Sequence, residues 1–190
     1  IANNVAVKLA DPCSDWILLL NDDIIMQGDS FITSMLELGK SQSHVAGAIG
    51  CSLRTIDGET LQEAGSIIWS DGSAAGFGRG RKDLDAPDLS YPRPVDYISG
   101  ACLMIRKNIF DSYGGFDGSH FPNYYEDTDL QMHVQHNLKK QVWLQPKAVA
   151  LHDEHGSFGA TDSKNKMEKA SIIFKDKWKS VLPEHIHTPF

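Results

Sequence analysis

The feature that most constrains the fold is an apolar run of five residues, Trp16–Leu20, which leads directly into the polar turn Asn21-Asp22-Asp23. Such a run is too short for an independent helix, and it suits a strand buried on both faces of a largely parallel sheet. We therefore expect this strand to lie centrally. Because open α/β sheets form ligand crevices at the carboxyl ends of their strands, the turn is the first candidate site.

The segment after this turn predicts a helix. Phe31, Met35 and Leu38 recur at helical spacing, and Asp29 or Ser30 can cap its start. A further helix is expected at residues 1–4, before the first strand. Strand, polar turn and helix follow one another, as in a mixed α/β fold.

The middle of the chain predicts strands joined by tight turns. Residues 45–53 form an apolar, β-prone run, and the Asp-Gly turns at Asp57 and Asp71 flank another. Two such turns indicate a hairpin or meander. Residues 72–93 are rich in Gly, Asp, Pro and Ser, which predicts a long loop and a candidate lid.

The second half of the chain continues the alternation. Strands are expected at residues 95–98, 101–105, 142–144 and 149–151, with Pro146 between the last two. Helices are expected at residues 107–113, after Glu126-Asp127, and at residues 164–181. The last of these presents one apolar face to the body, made of Met167, Ala170, Phe174 and Trp178.

The composition excludes several classes of protein. A chain of 190 residues that is 41% hydrophobic can bury one compact core. Its net charge of -7 disfavours a non-specific nucleic-acid binder, because such proteins need clustered Lys and Arg. No apolar run approaches the roughly 18 residues of a membrane span, so we expect none in this segment.

The three cysteines indicate a reducing setting. Cys13, Cys51 and Cys102 are odd in number and lack a CxxC spacing, so they predict reduced thiols rather than a disulfide framework or a zinc site. We expect a cytoplasmic location, with the inner face of the membrane as an alternative.

Three polar segments can carry chemistry. The adjacent carboxylates of Asp22 and Asp23, beside the Asn21 amide, can present hard oxygen ligands to Mg²⁺ or Mn²⁺. The same residues also suit an ordinary polar turn whose side chains bond nearby backbone amides. His152 follows a predicted strand, and its imidazole can bind a Mn²⁺-like ion, although a loop histidine can equally be solvated.

The third segment places three carboxylates, Glu126, Asp127 and Asp129, at the start of a predicted helix. One of them, near a hydroxyl acceptor, can remove its proton. The alternative is helix capping and favourable charge at the amino end of the helix dipole. That dipole favours the ionised carboxylate and so weakens a base, unless burial raises its pKa.

Four segments in this order resemble motifs of the family 2 glycosyltransferases, particularly the bacterial branch that includes rhamnosyltransferase-like enzymes. They are ANN at residues 2–4 with LLNDD at residues 19–23, SGACLMIR at residues 99–106, GGFD at residues 114–117 with YEDTDL at residues 125–130, and HDEHGS at residues 152–157. The resemblance covers residues 1 to 160, and four motifs in order are more specific than any one alone.

The resemblance implies a GT-A type fold, a mixed sheet flanked by helices, in one domain over residues 1–190. Residues 1–160 would form the catalytic, metal and acceptor part, and residues 161–190 a C-terminal amphipathic helix and tail. It also implies a Mn²⁺ or Mg²⁺ site at Asp22, Asp23 and His152, with Asn21 at the first position of the DxD-type triplet. The turn Asn21-Asp22-Asp23 would hold this cofactor with the donor diphosphate.

The resemblance further implies the catalytic roles. Asp127 would be the general base and Glu126 would orient the acceptor, while Asp117 and Tyr125 would lie on the acceptor side. Asp117 is then expected to support the acceptor loop rather than to react.

The implied activity is transfer of a sugar, with inversion, from a nucleoside diphosphate sugar to a hydroxyl of a glycan or lipid-linked acceptor in polysaccharide or cell-surface glycan synthesis. The strand and turns that hold the nucleotide in this family are absent, so the chain is interpreted as N-terminally truncated. Two alternatives remain: a metal-dependent nucleotidyltransferase or nucleotide-sugar hydrolase, and a non-catalytic carbohydrate-binding domain of the same fold.

Overall fold

The computed structural model describes residues 2–153 and 160–187. In this part of the chain the α-helices are α1 (Ala2–Lys8), α2 (Phe31–Ser41), α3 (Lys107–Tyr113), α4 (Glu126–Met132) and α5 (Ala160–Trp178). The strands are β1 (Trp16–Leu20), β2 (Ile24–Gln27), β3 (Ala46–Arg54), β4 (Leu61–Ala64), β5 (Ser66–Ile68), β6 (Ala74–Gly76), β7 (Arg93–Val95), β8 (Cys102–Arg106) and β9 (Gln141–His152). The predicted mixed α/β class is confirmed.

Within the described residues, seven strands form one sheet along the path β1-β8-β3-β9-β2, with β4 beside β3 and β7 beside β9. The β3–β9 pair is parallel, and the other pairs of this sheet are antiparallel. Strands β5 and β6 form a separate hairpin. The Asp-Gly turns at Asp57 and Asp71 therefore close two hairpins, β3–β4 and β5–β6.

The predicted central position of β1 is wrong, because in the described sheet β1 pairs only with β8 and lies at an edge. Its two apolar faces are nevertheless both used. Ile17 and Leu19 pack in one core cluster, and Trp16 and Leu18 pack against another. The apolar run therefore indicates that both faces of the strand are packed against other elements. It does not indicate which strands lie beside it in the sheet.

The prediction of two short strands around Pro146 is also wrong, since β9 runs continuously through this residue. The ladder with β3 shifts register here: Cys51 lies opposite Gln145, and the next partner of β3, Ser52, lies opposite Val149. Proline lacks the N–H that a regular ladder requires, so an irregular stretch lets the strand continue.

Residues 72–93 are more ordered than a long loop. They contain β6 and a 3₁₀ turn at Pro87–Leu89, and Leu89 is buried in the core. Arg81 pairs with both Asp83 and Asp88. The ion pairs stabilise the segment internally, and the buried Leu89 fixes it on the body of the protein. Its role as a lid stays a prediction.

The last helix packs as predicted except at one residue. Ala170, Phe174 and Trp178 are buried on a cluster that includes Ile68 and Phe121. Met167, predicted to lie on the same face, is 47% exposed because the buried stripe begins one turn later. None of the helices in the described residues has the length and apolarity needed to cross a membrane.

The first helix holds a turn near the site. Asn4 donates from Nδ2 to the Phe116 carbonyl (2.8 Å), and its Oδ1 accepts from the Phe116 N–H (2.9 Å). The Asn of the opening motif is therefore structural. Gly115 packs so closely on Asn4 that a Cβ there would lie 2.6 Å from Asn4 Oδ1.

Candidate functional site

The polar turn after β1 meets the end of β9. Strand β2 pairs with β9 so that Ile24 lies opposite His152, which puts the preceding residue, Asp23, beside the imidazole. The Asp153 N–H lies 3.3 Å from the Asp23 carbonyl oxygen. Asp23 Oδ1 is 3.4 Å from His152 Nε2. The structure thus brings together two of the three predicted metal ligands.

Asp23 Oδ1 is buried and has no hydrogen-bond partner among the described residues. An unsatisfied carboxylate oxygen beside an imidazole nitrogen fits a divalent cation. Within residues 2–153 and 160–187, no group of three or more His, Cys, Asp or Glu side chains is placed to hold a metal ion. Two protein ligands suffice for an ion that also binds substrate phosphates and water, as Mg²⁺ commonly does.

The other two residues of the turn are exposed to solvent. Asn21 donates its backbone N–H to the Ala101 carbonyl (2.9 Å), which joins this turn to the one at residues 99–101. The side chains of Asn21 and Asp22 are exposed. Their predicted contacts with the metal ion and the diphosphate stay predictions.

Asp127 binds the same turn at residues 99–101. Gly100 N–H donates to Asp127 Oδ2 (2.6 Å), and Thr128 N–H donates to Asp127 Oδ1 (2.7 Å). A Cβ on Gly100 would lie 3.1 Å from the Asp127 Cβ, so glycine allows this approach. Asp23, His152 and Asp127 are therefore linked through one turn.

The carboxyl of Asp127 has the electrostatic character of a base. Burial raises its pKa, while the hydrogen bonds from Gly100 and Thr128 lower it, and the net direction is upward. Burial therefore outweighs the helix amino terminus that would otherwise weaken a base. A raised pKa brings the carboxylate closer to the proton affinity of an effective general base.

Glu126 is the second carboxylate at this helix start. Its Oε2 is buried without a hydrogen-bond partner in the described part of the chain. Burial, followed by the charge of Asp127, raises the pKa of Glu126 to about 7. A buried oxygen without a donor can accept a hydrogen bond from a bound hydroxyl.

Tyr125 and its neighbour Tyr124 have positive φ angles of 66° and 65°. Such backbone is costly for residues other than glycine and is enriched at functional sites. The Tyr125 ring packs on Phe174 with centroids 4.9 Å apart, and its hydroxyl lies 3.4 Å from the Gly72 carbonyl oxygen. Helix α5 thus holds the strained entry to α4.

Asp117 closes its own loop. It accepts hydrogen bonds from Ser119 and His120, and Lys177 lies 3.7 Å away. Burial opposes ionisation, but the hydrogen bonds from Ser119 and His120 outweigh it and hold the pKa of Asp117 well below its usual range. These contacts favour the supporting role expected from the sequence.

The sequence predictions missed two residues of β4. Gln62 Nε2 donates to the His152 carbonyl (2.9 Å), and Gln62 Oε1 lies 3.0 Å from His152 Nδ1. Glu63 Oε1 accepts from the Ser99 N–H (2.9 Å). Gln62 therefore contacts His152, one of the predicted metal ligands. Glu63 contacts the turn at residues 99–101, which binds Asp127.

A β-bulge explains this arrangement. Leu53 lies opposite Glu63 and Arg54 opposite Leu61, which leaves Gln62 as an extra residue between them. A bulge redirects side chains that regular alternation would send to opposite faces. Two successive polar residues in a β-prone segment were the available signal in the sequence.

The structure describes only part of the motif HDEHGS at residues 152–157. His152 is described, whereas His155 and Ser157 lie outside the described residues. Their place in the site stays a prediction.

Replacing Glu63 with Gln should change how stability depends on pH. Burial raises the pKa of Glu63 from 4.5 to about 7, so the folded state favours the neutral form. The stability from this neutral carboxyl is complete below the unfolded pKa of 4.5, and it is lost as the pH rises to about 7. Between pH 4.5 and 8, urea titrations should show Glu63→Gln gaining on the order of 3 kcal/mol relative to the wild type.

Glu59→Gln is the matched control, because Glu59 is an exposed carboxylate in the preceding turn. It should follow the wild-type pH profile. A Glu63→Gln profile parallel to that of the wild type would contradict the assigned burial effect.

A solved structure has a similar fold. The chain matches a crystal structure of GalNAc-T7 with UDP, GalNAc and Mn²⁺ at a TM-score of 0.66 and 10% identity, over 96% of this chain and 35% of that one. At this identity the likeness shows the fold alone. The predicted GT-A type of fold is confirmed.

Two proteins are similar to this chain in sequence. The chain is 31% identical over 160 residues to an N-acetylglucosaminyl-diphospho-decaprenol L-rhamnosyltransferase of Mycobacterium tuberculosis, covering 76% of this chain and 49% of that protein. It is 28% identical over 124 residues to the O-antigen biosynthesis protein RfbC of Myxococcus xanthus, covering 60% of this chain and 9% of that protein. The predicted resemblance to rhamnosyltransferase-like glycosyltransferases is confirmed.

No model of a known protein family matches the chain. The chain spans about half the length of the rhamnosyltransferase and less than a tenth of the O-antigen protein.

Proposed function

We propose that this chain is the metal-binding and acceptor-activating part of an inverting family 2 glycosyltransferase. The observation that carries the proposal is the convergence on one turn. Asn21 binds Ala101, Gly100 binds Asp127, and Asp23 lies beside His152. This arrangement supports a metal pole and a base pole in a single cleft.

The metal pole would consist of Asp23 and His152, with Asp22 beside them in the turn. The unsatisfied, buried Asp23 Oδ1 and the adjacent imidazole fit a Mn²⁺ or Mg²⁺ ion. If bound there, such an ion would supply positive charge to stabilise the leaving diphosphate. The exposed carboxylate of Asp22 is free to reach the same ion or its water ligands.

The base pole would consist of Asp127, assisted by Glu126. Asp127 takes the proton of the acceptor hydroxyl while the oxygen of that hydroxyl attacks the sugar. Glu126 accepts a hydrogen bond from the acceptor. The raised pKa values of both carboxyls support this assignment. A single displacement without a protein nucleophile inverts the anomeric centre.

The relatives support a substrate class. The mycobacterial protein is named for rhamnose transfer to a lipid-linked N-acetylglucosamine, and the myxobacterial protein for O-antigen biosynthesis. We propose a nucleoside diphosphate sugar as donor and a glycan or lipid-linked hydroxyl as acceptor, in cell-surface polysaccharide synthesis. The proposed location is the cytoplasm or the inner face of the membrane.

Removing divalent metal should reduce transfer by the full protein at least about 100-fold, because metal stabilisation of the leaving group contributes several kcal/mol to the barrier. The measurement is release of nucleoside diphosphate from a panel of nucleotide sugars with lipid-linked N-acetylglucosamine, with EDTA and after Mn²⁺ is restored. Proton NMR of the product should show inverted configuration.

Equal sugar release with water alone would identify a hydrolase instead. Full transfer in EDTA would contradict the metal assignment, and a retained anomeric configuration would contradict the single displacement.

A further inference from the structure

We infer that Gln62 is a positioning residue that sets the tautomer of His152 and presents its Nε2 to the metal ion. The inference rests on the proposed function, because it deepens the assignment of the metal pole. It starts from two hydrogen bonds between the same two residues. Gln62 Nε2 lies 2.9 Å from the His152 backbone oxygen, and Gln62 Oε1 lies 3.0 Å from His152 Nδ1.

The backbone contact fixes the orientation of the Gln62 amide. A carbonyl oxygen can only accept a hydrogen bond, so the amide group facing the His152 carbonyl is the NH₂ group. The other end of the amide, which faces the imidazole, is therefore the carbonyl oxygen.

That orientation in turn fixes the imidazole. An amide oxygen cannot donate, so His152 Nδ1 must carry the hydrogen and donate it to Gln62. The lone pair of the neutral ring then resides on Nε2, the atom 3.4 Å from the unsatisfied Asp23 Oδ1. Two atoms with lone pairs face each other, which is the arrangement that a cation stabilises.

The fold commits Gln62 to this position. It is 6% exposed and occupies the bulge of β4, so its side chain is held in the interior by packing. Groups that orient a metal-binding histidine through its second nitrogen commonly change metal affinity 10- to 100-fold when they are removed.

The test compares Gln62→Leu with Gln145→Leu in the full protein. Gln145 is a matched control because it is 5% exposed and donates from Nε2 to the Ser34 carbonyl, away from the site. Titration with Mn²⁺ alone, followed by electron paramagnetic resonance of the free ion, should show 10- to 100-fold weaker binding for Gln62→Leu and less than twofold change for Gln145→Leu.

A second readout needs no metal. Two-bond ¹H–¹⁵N spectra of histidine-labelled protein above pH 8 should show His152, assigned by its loss in His152→Asn, as the Nδ1–H tautomer. In Gln62→Leu the population should shift toward Nε2–H, the form that the neutral histidine side chain prefers in water.

The outcomes separate the two proposals. Mn²⁺ binding that is unchanged in Gln62→Leu, equal loss in Gln145→Leu, or a wild-type His152 in the Nε2–H form would overturn the role of Gln62 while leaving the transferase proposal intact. A wild-type protein that does not bind Mn²⁺ would overturn both the metal pole and the role of Gln62.

Discussion

Asp127→Asn in the full protein should lower the rate constant for sugar transfer at least about 100-fold, the effect typical of losing a general base. Asparagine preserves the size of the side chain but cannot take a proton from the acceptor hydroxyl. Donor affinity should change less than threefold, because the proposed donor contacts lie at Asp23 and His152. Single-turnover kinetics give the rate, and calorimetry with the nucleotide sugar gives the affinity.

Thr128→Val is the matched control for this experiment. The Thr128 hydroxyl lies 3.2 Å from Asp127 Oδ1, so its removal disturbs the same carboxylate without removing the charge. The control should lose less than about tenfold in rate, as expected for one modest hydrogen bond. If both variants lose activity equally, Asp127 orders the turn at Gly100 and is not the base.

The rate of the wild type should also fall toward acid pH. Burial raises the pKa of Asp127, so the base is protonated at a higher pH than an exposed aspartate would be. The charge of Asp127 in turn raises the pKa values of the nearby buried carboxyls of Glu63 and Glu126, because like charges disfavour one another's ionisation.

Local patterns in the sequence predicted β1 and α4, two of the elements that position the site, but not β2. The apolar run of β1 ends at the polar turn, and the start of α4 carries the acidic residues, since both features depend on residues adjacent in sequence. Helix α3 was predicted at its observed bounds because Gly114, with φ of 88°, is a strong local stop signal.

Features that depend on distant partners were not predictable in this way. The edge position of β1 depends on which strands pair with it, and the exposure of Met167 depends on where the body of the protein ends. The role of Gln62 depends on a bulge and on a residue 90 positions away. Periodicity reports the environment of a strand or helix but not the identity of its neighbours.

The acidic motif at the start of α4 divides into two functions that its spacing does not reveal. Asp127 faces the turn at Gly100, whereas Asp129, two residues later on the helix, faces α5. Asp129 is fully buried and accepts hydrogen bonds from Tyr113 Oη (2.7 Å), Lys177 Nζ (2.8 Å) and Trp178 Nε1 (2.8 Å). It therefore clamps the last helix to the site.

Asp129→Ala should lower the free energy of unfolding by about 3–5 kcal/mol, the cost of breaking a buried charged network. The substitution leaves the buried Trp178 N–H and the Tyr113 hydroxyl without their acceptor, and it removes the buried carboxylate that pairs with Lys177. Since a domain of ordinary size is stable by only about 5–15 kcal/mol, this is a large fraction of the total. Urea unfolding followed by circular dichroism gives the value.

Asp111→Ala is the matched control, because Asp111 also pairs with a lysine, Lys107, at 2.6 Å, but on the surface with 47% of its side chain exposed. Exposed pairs contribute less than about 1 kcal/mol. Hydrogen exchange should show faster exchange along α5 in Asp129→Ala and no change there in Asp111→Ala. Equal losses in the two variants would contradict the prediction. They would mean that burial of the carboxylate does not determine how strongly it holds its partners.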